Sequence, residues 1–178
     1  EINELDVDFV IHGEGPASAW AACAKVGDAA VISGQPSGAY LPEATADWYV
    51  ILGDEAALPA IATLLEALPS TIEAFVYIEV FNEREEQELP SLATTHITWL
   101  HRGNEHDLPG LLLVDAMRNV DIPQGDGRVW VSAEASIMRK IRKQLLEERD
   151  LDRSDIRTQG YWKQGDLNHA DNDMGDDT

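Results

Sequence analysis

From Asp47 onward, short apolar runs alternate with segments in which apolar residues recur every three or four positions. Five of the runs are predicted to be strands: DWYVILGD, IEAFVYIEV, HITWLHR, GRVWVSAE and IRTQGYW. Three segments have helical spacing: EAALPAIATLLEAL, LPGLLLVDAMRNV and ASIMRKIRKQLLEERDL. Strands that alternate with helices form βαβ units and a parallel sheet. The pattern therefore predicts an α/β fold, a doubly wound parallel five-stranded sheet with helices on both faces.

The first 46 residues follow a different pattern. Residues 6–13 and 28–34 are predicted to be short strands, and the alanine-rich stretch that begins at Pro16 is predicted to be a helix. A Gly- and Pro-rich turn segment follows. Two strands and one helix cannot close a core alone. We therefore expect residues 1–46 to end a preceding domain, residues 47–166 to form the α/β domain, and residues 167–178 to be an acidic disordered tail.

Composition narrows the class of protein. The chain has 178 residues, 44% of them apolar and 26% charged, which is typical of a soluble globular protein. No apolar run approaches the length of a membrane span, and no signal peptide is visible. The single cysteine, Cys23, excludes a disulfide framework, and its alanine-rich surroundings predict that it is buried. Because the chain begins at Glu1 and not at Met, we expect its natural start to lie upstream.

Charge is unevenly distributed. The chain has 13 basic and 33 acidic residues, a net charge of −20, which argues against general nucleic-acid binding and against binding to an anionic membrane surface. Eight of the basic residues lie between Arg139 and Lys163. They form either a solvated helix face with pairs four residues apart or a local attractor for an anionic ligand.

Candidate chemistry is concentrated where the predicted strands end. The turn from Ile51 to Pro59 lies at the carboxyl end of the first strand, where ligands bind in such sheets. It lacks GxGxxG, and its acidic residues would repel a pyrophosphate, so it is equally typical of a helix start with an acidic first turn. The other strand ends fall on the same edge: 79–82, 101–103 and 132–134. Arg102 is the cation among them, either a phosphate ligand or a surface arginine.

A second candidate lies at HGEGPASAW, residues 12–20. A predicted strand leads into a Gly-rich turn and then a helix, whose backbone N–H groups and Ser18 hydroxyl are suited to an anion. The alternative is a tight turn with a capped helix. His96, His101 and His106 are five residues apart, which fits neither a helix face nor a strand face, so no metal site is expected. The chain also lacks the GxSxG and GxxxxGK[ST] motifs.

Five segments taken in order resemble the siderophore-interacting protein family: HGEGPASAWAACAKVGD, DWYVILGDEAALPAIATLLEALP, WLHRG, WVSAEASIMRKIRKQL and GYWKQGD. Members are flavin-dependent ferric-siderophore reductases of the ferredoxin-reductase superfamily. The resemblance implies that residues 1–46 are the end of an FAD-binding β-barrel domain with its linker, and that residues 47–166 bind NAD(P)H. The family's Arg-x-Tyr-[Ser/Thr] flavin motif does not occur in this sequence, so most of the barrel is expected upstream.

The resemblance also implies site residues. FAD would be held around its pyrophosphate by His12, Gly15, Pro16, Ala17 and Ser18. The nucleotide turn would be formed by Gly53, Asp54, Glu55, Ala57, Leu58 and Pro59. Arg102 would meet the 2′-phosphate of NADPH, and Ser132 and Glu134 would border the nicotinamide ribose. Lys163, helped by Arg157 and Trp162, would hold the anionic ferric chelate, although Gln164 stands where many members have a second basic residue.

The implied reaction needs no catalytic side chain of the protein. NADPH, or NADH, would pass a hydride to the flavin, which would reduce Fe(III) and release iron as Fe(II). We expect a cytoplasmic monomer that acts on a ferric siderophore and has no nucleic-acid partner or stable membrane association. Two alternatives stay open: a non-catalytic nucleotide-binding or interaction module that docks a basic redox partner, and a flavin reductase with another electron acceptor.

Overall fold

The computed structural model describes residues 5, 7–11, 15–31, 40–103, 108–149, 151–166, 169 and 174. The chain divides into two compact units, residues 1–40 and 41–178. The first unit contains helix α1 (Pro16–Cys23), which begins at the predicted proline, with Gly15 as its N-cap. Residues before the helix fold back onto it, since the Phe9 and Trp20 rings lie 5.7 Å apart and Ser18 Oγ donates to Val10 O at 3.5 Å.

Two predictions for the first unit are wrong where the structure describes it. Residues 7–11 and 28–31 are not strands. A strand needs a hydrogen-bonded neighbour, and the described residues of this unit supply none. Cys23 is exposed instead of buried, because Ser18 is the residue that α1 buries. The rest of the predicted strands, with His12, and most of the predicted disordered tail lie outside the described residues.

The second unit confirms the predicted α/β sheet. In the described residues it has five strands: β1 (Trp48–Asp54), β2 (Glu73–Val80), β3 (Thr94–His101), β4 (Gly127–Glu134) and β5 (Ile156–Trp162). All neighbouring strands are parallel, in the order β3-β2-β1-β4-β5. The α-helices between them are α2 (Leu58–Ala67), preceded by a 3₁₀ turn (Glu55–Ala57), α3 (Leu111–Asn119) and α4 (Ala135–Glu147).

Helices cover both faces of the sheet. On one face, β1 packs Val50 and Leu52 into a buried cluster with Leu113 of α3 and Ile141 of α4. On the other face, α2 lies directly against the sheet, since a Cβ at Gly53 would fall 2.7 Å from Ile61 Cδ1. Every residue of β1 is buried, as expected for the central strand of such a sheet. None of the helices in the described ranges combines the length and apolarity that a bilayer crossing requires.

Helix α4 differs from its prediction in two respects. It ends at Glu147, before the predicted Leu151, because the chain turns back and Leu151 N donates to Leu145 O at 3.3 Å. Its basic residues do not all lie on a solvated face. Arg142 is only 7% exposed, because it is directed towards β5, where its Nη1 donates to Thr158 Oγ1 at 3.2 Å.

The strand order places a switch point beside β1. The chain leaves β1 for β2 on one side, and β4 pairs with β1 on the other side. In sheets of this kind the connections leave in opposite directions at the switch point, and ligands bind in the crevice beyond the carboxyl ends of the strands there. We use the word crevice for this edge, beyond the ends of β1 and β4. Asp54, Ser132 and Glu134 lie at these ends.

Gly127, the first residue of β4, is a position where core packing can be tested. A Cβ at Gly127 would overlap the indole of Trp48, its partner in register. We expect Gly127→Ala to lower the free energy of unfolding by about 2–3 kcal/mol, because a buried indole must move. In a Trp48→Leu background the same substitution should cost less than half as much. Urea unfolding of the four chains measures this coupling, and equal costs in both backgrounds would contradict the packing described.

Candidate functional site

Three adjacent strands end in buried carboxylates. Asp54 ends β1, Glu79 lies one residue before the end of β2, and Glu134 ends β4. Their exposed fractions are 0%, 0% and 2%. Isolated buried carboxylates are costly, so each must be matched by donors. We refer to these three residues as the strand-end carboxylates.

Asp54 joins three strands at one point. Its Oδ1 accepts from Ala56 N at 3.0 Å, at the start of the 3₁₀ turn. Its Oδ2 accepts from Glu134 N on β4 and from Trp162 Nε1 on β5, both at 2.9 Å. Burial raises the pKa of Asp54 to about 7 from its ordinary value of 3.8. The hydrogen bonds from these donors act in the opposite direction without offsetting burial.

The other two carboxylates cap helices. Glu79 accepts from Gly110 N at 2.6 Å and Leu112 N at 3.0 Å, so β2 caps α3. Glu134 Oε2 accepts from Ser136 N at 2.7 Å and Ile137 N at 3.1 Å, at the start of α4. Burial raises the pKa of Glu134, but the hydrogen bond from the Ser136 hydroxyl and those from backbone N–H groups outweigh burial and hold it below its ordinary value. Protein carboxylates thus occupy helix starts that would otherwise attract anions.

Arg102, directly after β3, is bound to carboxylates on two neighbouring strand ends. Its Nη2 lies 2.7 Å from Glu55 Oε1, and its Nη1 lies 2.9 Å from Glu79 Oε1. Its side chain is 9% exposed, so the alternative of a surface arginine is wrong. Burial lowers the pKa of Arg102, but the two carboxylates raise it further than burial lowers it. A phosphate ligand at Arg102 would have to compete with Glu55 or Glu79.

The last segment of the sheet is held over the crevice. Trp162 is bound to Asp54, and Gln164 N donates to Glu134 Oε1 at 3.3 Å. Between them, Lys163 has its Nζ 3.0 Å from Asp166 Oδ2, and its side chain is 47% exposed. The strand-end carboxylates therefore fix both residues next to Lys163. Arg157 is exposed, earlier on β5.

Comparison with known proteins identifies the family. A family model described as "Siderophore-interacting protein" matches residues 46–165, and one described as "Siderophore-interacting FAD-binding domain" matches residues 1–40. The chain belongs to the siderophore-interacting protein family. The resemblance noted from its sequence motifs is thereby confirmed.

Relatives include two proteins named as ferric siderophore reductases. Ferric vibriobactin reductase ViuB of Vibrio cholerae is 34% identical over 166 residues, a match that covers 92% of this chain and 60% of ViuB. Ferric acinetobactin reductase of Acinetobacter baumannii is 30% identical over 169 residues, covering 91% of this chain and 56% of that protein. The chain thus spans about three fifths of the length of the curated relatives it matches.

Solved structures of the family have the same fold. A siderophore utilization protein from T. fusca is 40% identical, with a TM-score of 0.77 over 92% of this chain and 62% of that one. The siderophore-interacting protein SipS from Aeromonas hydrophila is 27% identical, with a TM-score of 0.75 over 90% of this chain and 62% of that one. Both similarities agree with the parallel α/β fold described above.

The structure brings some of the predicted site residues together at the crevice: Gly53, Asp54, Glu55, Arg102, Ser132, Glu134, Trp162 and Lys163. Ala57 and Leu58 are buried in the core, whereas Pro59 is exposed at the start of α2. Pro16 and Ala17 are exposed and Gly15 is half-buried, in the other unit.

Sequence reasoning missed what Glu79 and Trp162 do in the fold. The sequence indicates only that Glu79 belongs to a segment ending a strand and that Trp162 precedes Lys163. A carboxylate at the end of one strand and an arginine at the end of the next are a signal that could have suggested the ion pair between Glu79 and Arg102. Nothing local to Trp162 indicates a donor to Asp54, which lies 108 residues earlier.

Titration of Asp54 should make stability depend on pH. Between about pH 4 and the raised pKa of about 7, the folded chain holds a proton that the unfolded chain has released. Stability should therefore fall as pH rises through this window, by up to about 1.4 kcal/mol per pH unit. Asp54→Asn, although less stable overall, should lack this dependence.

The measurement is urea unfolding, followed by tryptophan fluorescence, from about pH 5 to about pH 8. The difference in unfolding free energy between the parent chain and Asp54→Asn should shrink as pH rises. Asp115→Asn, at an exposed position on α3, is the matched control and should show a constant difference. A constant difference for Asp54→Asn as well would show that Asp54 does not titrate in this range.

Proposed function

We propose that this chain is part of an NAD(P)H-dependent flavoprotein that reduces ferric siderophores in the cytoplasm and releases iron as Fe(II). The observation that carries the proposal is its 30–34% identity, over nine tenths of its length, to two proteins named as ferric siderophore reductases. The order of the two family models along the chain supports it, because flavin binding precedes the α/β domain.

The crevice beside β1 suits a nicotinamide dinucleotide. Gly53 and Ser132 are partners in register at its edge. The buried Ser132 Oγ lies beside the Tyr161 hydroxyl but makes no hydrogen bond of good geometry with the described residues. A ribose hydroxyl bound there would satisfy it. Glu134, by capping α4 and accepting from Gln164, would hold this edge in place.

NADPH is the dinucleotide that we propose. Arg102 would bind the 2′-phosphate by exchanging one carboxylate for it. Glu55 is the partner that can leave, because its side chain is 26% exposed, whereas Glu79 is fully buried and caps α3. Glu79 would keep the guanidinium oriented during the exchange.

FAD is proposed to contact the start of α1, with Gly15, Pro16, Ala17 and Ser18 near its pyrophosphate. His12, which the family resemblance adds to this set, lies outside the described residues. The backbone N–H groups in the first turn of a helix favour an anion. When bound, the dinucleotide and FAD supply a hydride and then the single electrons that reduce Fe(III). Fe(II) binds hard oxygen ligands more weakly than Fe(III), so reduction releases the metal from the siderophore.

Lys163 is proposed to hold the anionic ferric chelate, with Trp162 and Arg157 beside it. Its position depends on its neighbours, because Trp162 and Gln164 are bound to Asp54 and Glu134. A half-exposed ammonium held at the mouth of the crevice attracts anionic ligands without binding them irreversibly.

The experiment that tests the function is an anaerobic absorbance titration of the full-length gene product purified with FAD. A flavin spectrum should bleach when NADPH is added and return when a ferric siderophore is added. Failure to retain flavin after FAD supplementation would refute the reductase and leave a binding module. Bleaching without recovery would support a flavoprotein but exclude the ferric chelate as its electron acceptor.

The role of Lys163 has its own test. Lys163→Ala should raise KM for an anionic ferric chelate about tenfold, the effect of losing one charge-assisted hydrogen bond. The rate of flavin reduction by NADPH should not change, and Lys163→Arg should largely restore KM. Arg118→Ala, at an exposed position on α3, is the control. Equal slowing of flavin reduction in Lys163→Ala would contradict a role in substrate binding.

A further inference from the structure

The turn that follows β5 brings a carboxylate onto Lys163. Asp166 N donates to Lys163 O at 3.1 Å, which closes a four-residue turn. Gly165 has a φ of 84°, a left-handed conformation that glycine adopts without strain. The turn sets the two charged side chains next to each other, with Lys163 Nζ 3.0 Å from Asp166 Oδ2. In the part of the chain that the structure describes, Asp166 is the carboxylate paired with this lysine.

The backbone of this turn is anchored on both sides of Lys163, whereas the ion pair itself faces solvent. Trp162 and Gln164 donate hydrogen bonds to two of the strand-end carboxylates. The side chains of Lys163 and Asp166 are 47% and 48% exposed. A ligand can therefore displace the Asp166 carboxylate from the ammonium without disturbing the contacts that hold the lysine at the crevice.

Asp166 occupies a position that an anionic ligand of Lys163 would take. A chelate whose charged oxygens contact the ammonium competes with this carboxylate for the same donors. Loss of a half-exposed ion pair weakens the binding of the competing anion by a factor of up to about five. A chelate without charged oxygens leaves the ion pair intact. Gln164, between the two residues in sequence, adds no second cation that could offset the competition.

We propose that Asp166 is a specificity-determining residue that acts through Lys163 and lowers the affinity of the site for highly anionic ferric chelates. The inference rests on the proposed role of Lys163 in binding the chelate. Lys163 attracts anionic oxygens, and Asp166 limits that attraction by occupying the ammonium in the free protein. The preferred substrate class is therefore ferric chelates of low negative charge, for which little binding depends on displacing Asp166.

The test compares two ferric chelates, a trianionic hexadentate tris-catecholate and a neutral tris-hydroxamate. Each is titrated calorimetrically into the FAD-bound full-length gene product without NADPH, so that binding is measured and no reduction occurs. Asp166→Asn should tighten binding of the tris-catecholate up to about fivefold at low salt, and this gain should shrink when salt is raised. Binding of the tris-hydroxamate should change by less than about twofold, because no charged oxygen competes with Asp166.

Further variants show whether Asp166 acts through the lysine. Asp166→Glu keeps the carboxylate and should restore the parental affinities for both chelates. In a Lys163→Ala background, Asp166→Asn should no longer tighten binding of the tris-catecholate, because the two residues act as one pair. Asp115→Asn is the matched control, since Asp115 forms an exposed ion pair with Arg118, three residues away on α3. It removes the same charge away from the crevice and should leave both affinities unchanged.

The outcomes separate this inference from the proposed function. If Lys163→Ala weakens binding of the tris-catecholate but Asp166→Asn leaves it unchanged, the inference is overturned and the role of Lys163 stands. An equal gain for both chelates, or an undiminished gain in the Lys163→Ala background, would also overturn it, because Asp166 would then not act through the lysine. Unaltered binding by Lys163→Ala would overturn both the role of Lys163 and the inference. The reductase activity is tested independently by the absorbance titration.

Discussion

The arrangement of the crevice depends on one buried carboxylate. Asp54 is fully buried at the end of the central strand, and it accepts hydrogen bonds from β4, from β5 and from the turn that begins α2. Without Asp54, the buried backbone N–H of Glu134 would be left without this acceptor, which is costly, and the half-buried indole N–H of Trp162 would lose its bond to β1. In addition to the backbone pairing of these strands, a single side chain therefore joins the strand ends that form the edge of the crevice. Its pKa is raised because burial removes a charge at this position from water.

Carboxylates also determine which ligands the site can accept. In many doubly wound folds, helix N-termini at the switch point bind phosphate. Here Glu79 and Glu134 occupy the starts of α3 and α4, and Arg102 is matched by Glu55 and Glu79. Anions are therefore attracted where a cation is exposed or can exchange its partner, and among the described residues of this edge Lys163 and Arg102 meet that condition.

The fold of the second unit was largely predictable, because burial on both faces and helical spacing are local properties of the chain. The apolar run 47–54 and the helix after it needed no knowledge of their neighbours. The strands predicted at 6–13 and 28–34 are absent from their described residues, 7–11 and 28–31, because a strand also requires a pairing partner. Contacts that span the chain, such as Trp162 with Asp54, have no local signature. The sequence places Arg142 on the solvated face of α4 for the same reason. Its side chain is buried because β5 packs against that side of the helix.

The most direct test of this account is the titration of the Trp162 indole N–H by two-dimensional ¹H–¹⁵N NMR. The indole N–H of Trp162 donates to Asp54 Oδ2. The resonance of this N–H should therefore move in a single transition with a midpoint near 7, the raised pKa of Asp54. The indole signals of the other tryptophans should not follow that transition. A Trp162 resonance that stays constant from about pH 5 to about pH 9, well above the ordinary pKa of an aspartate, would contradict the account.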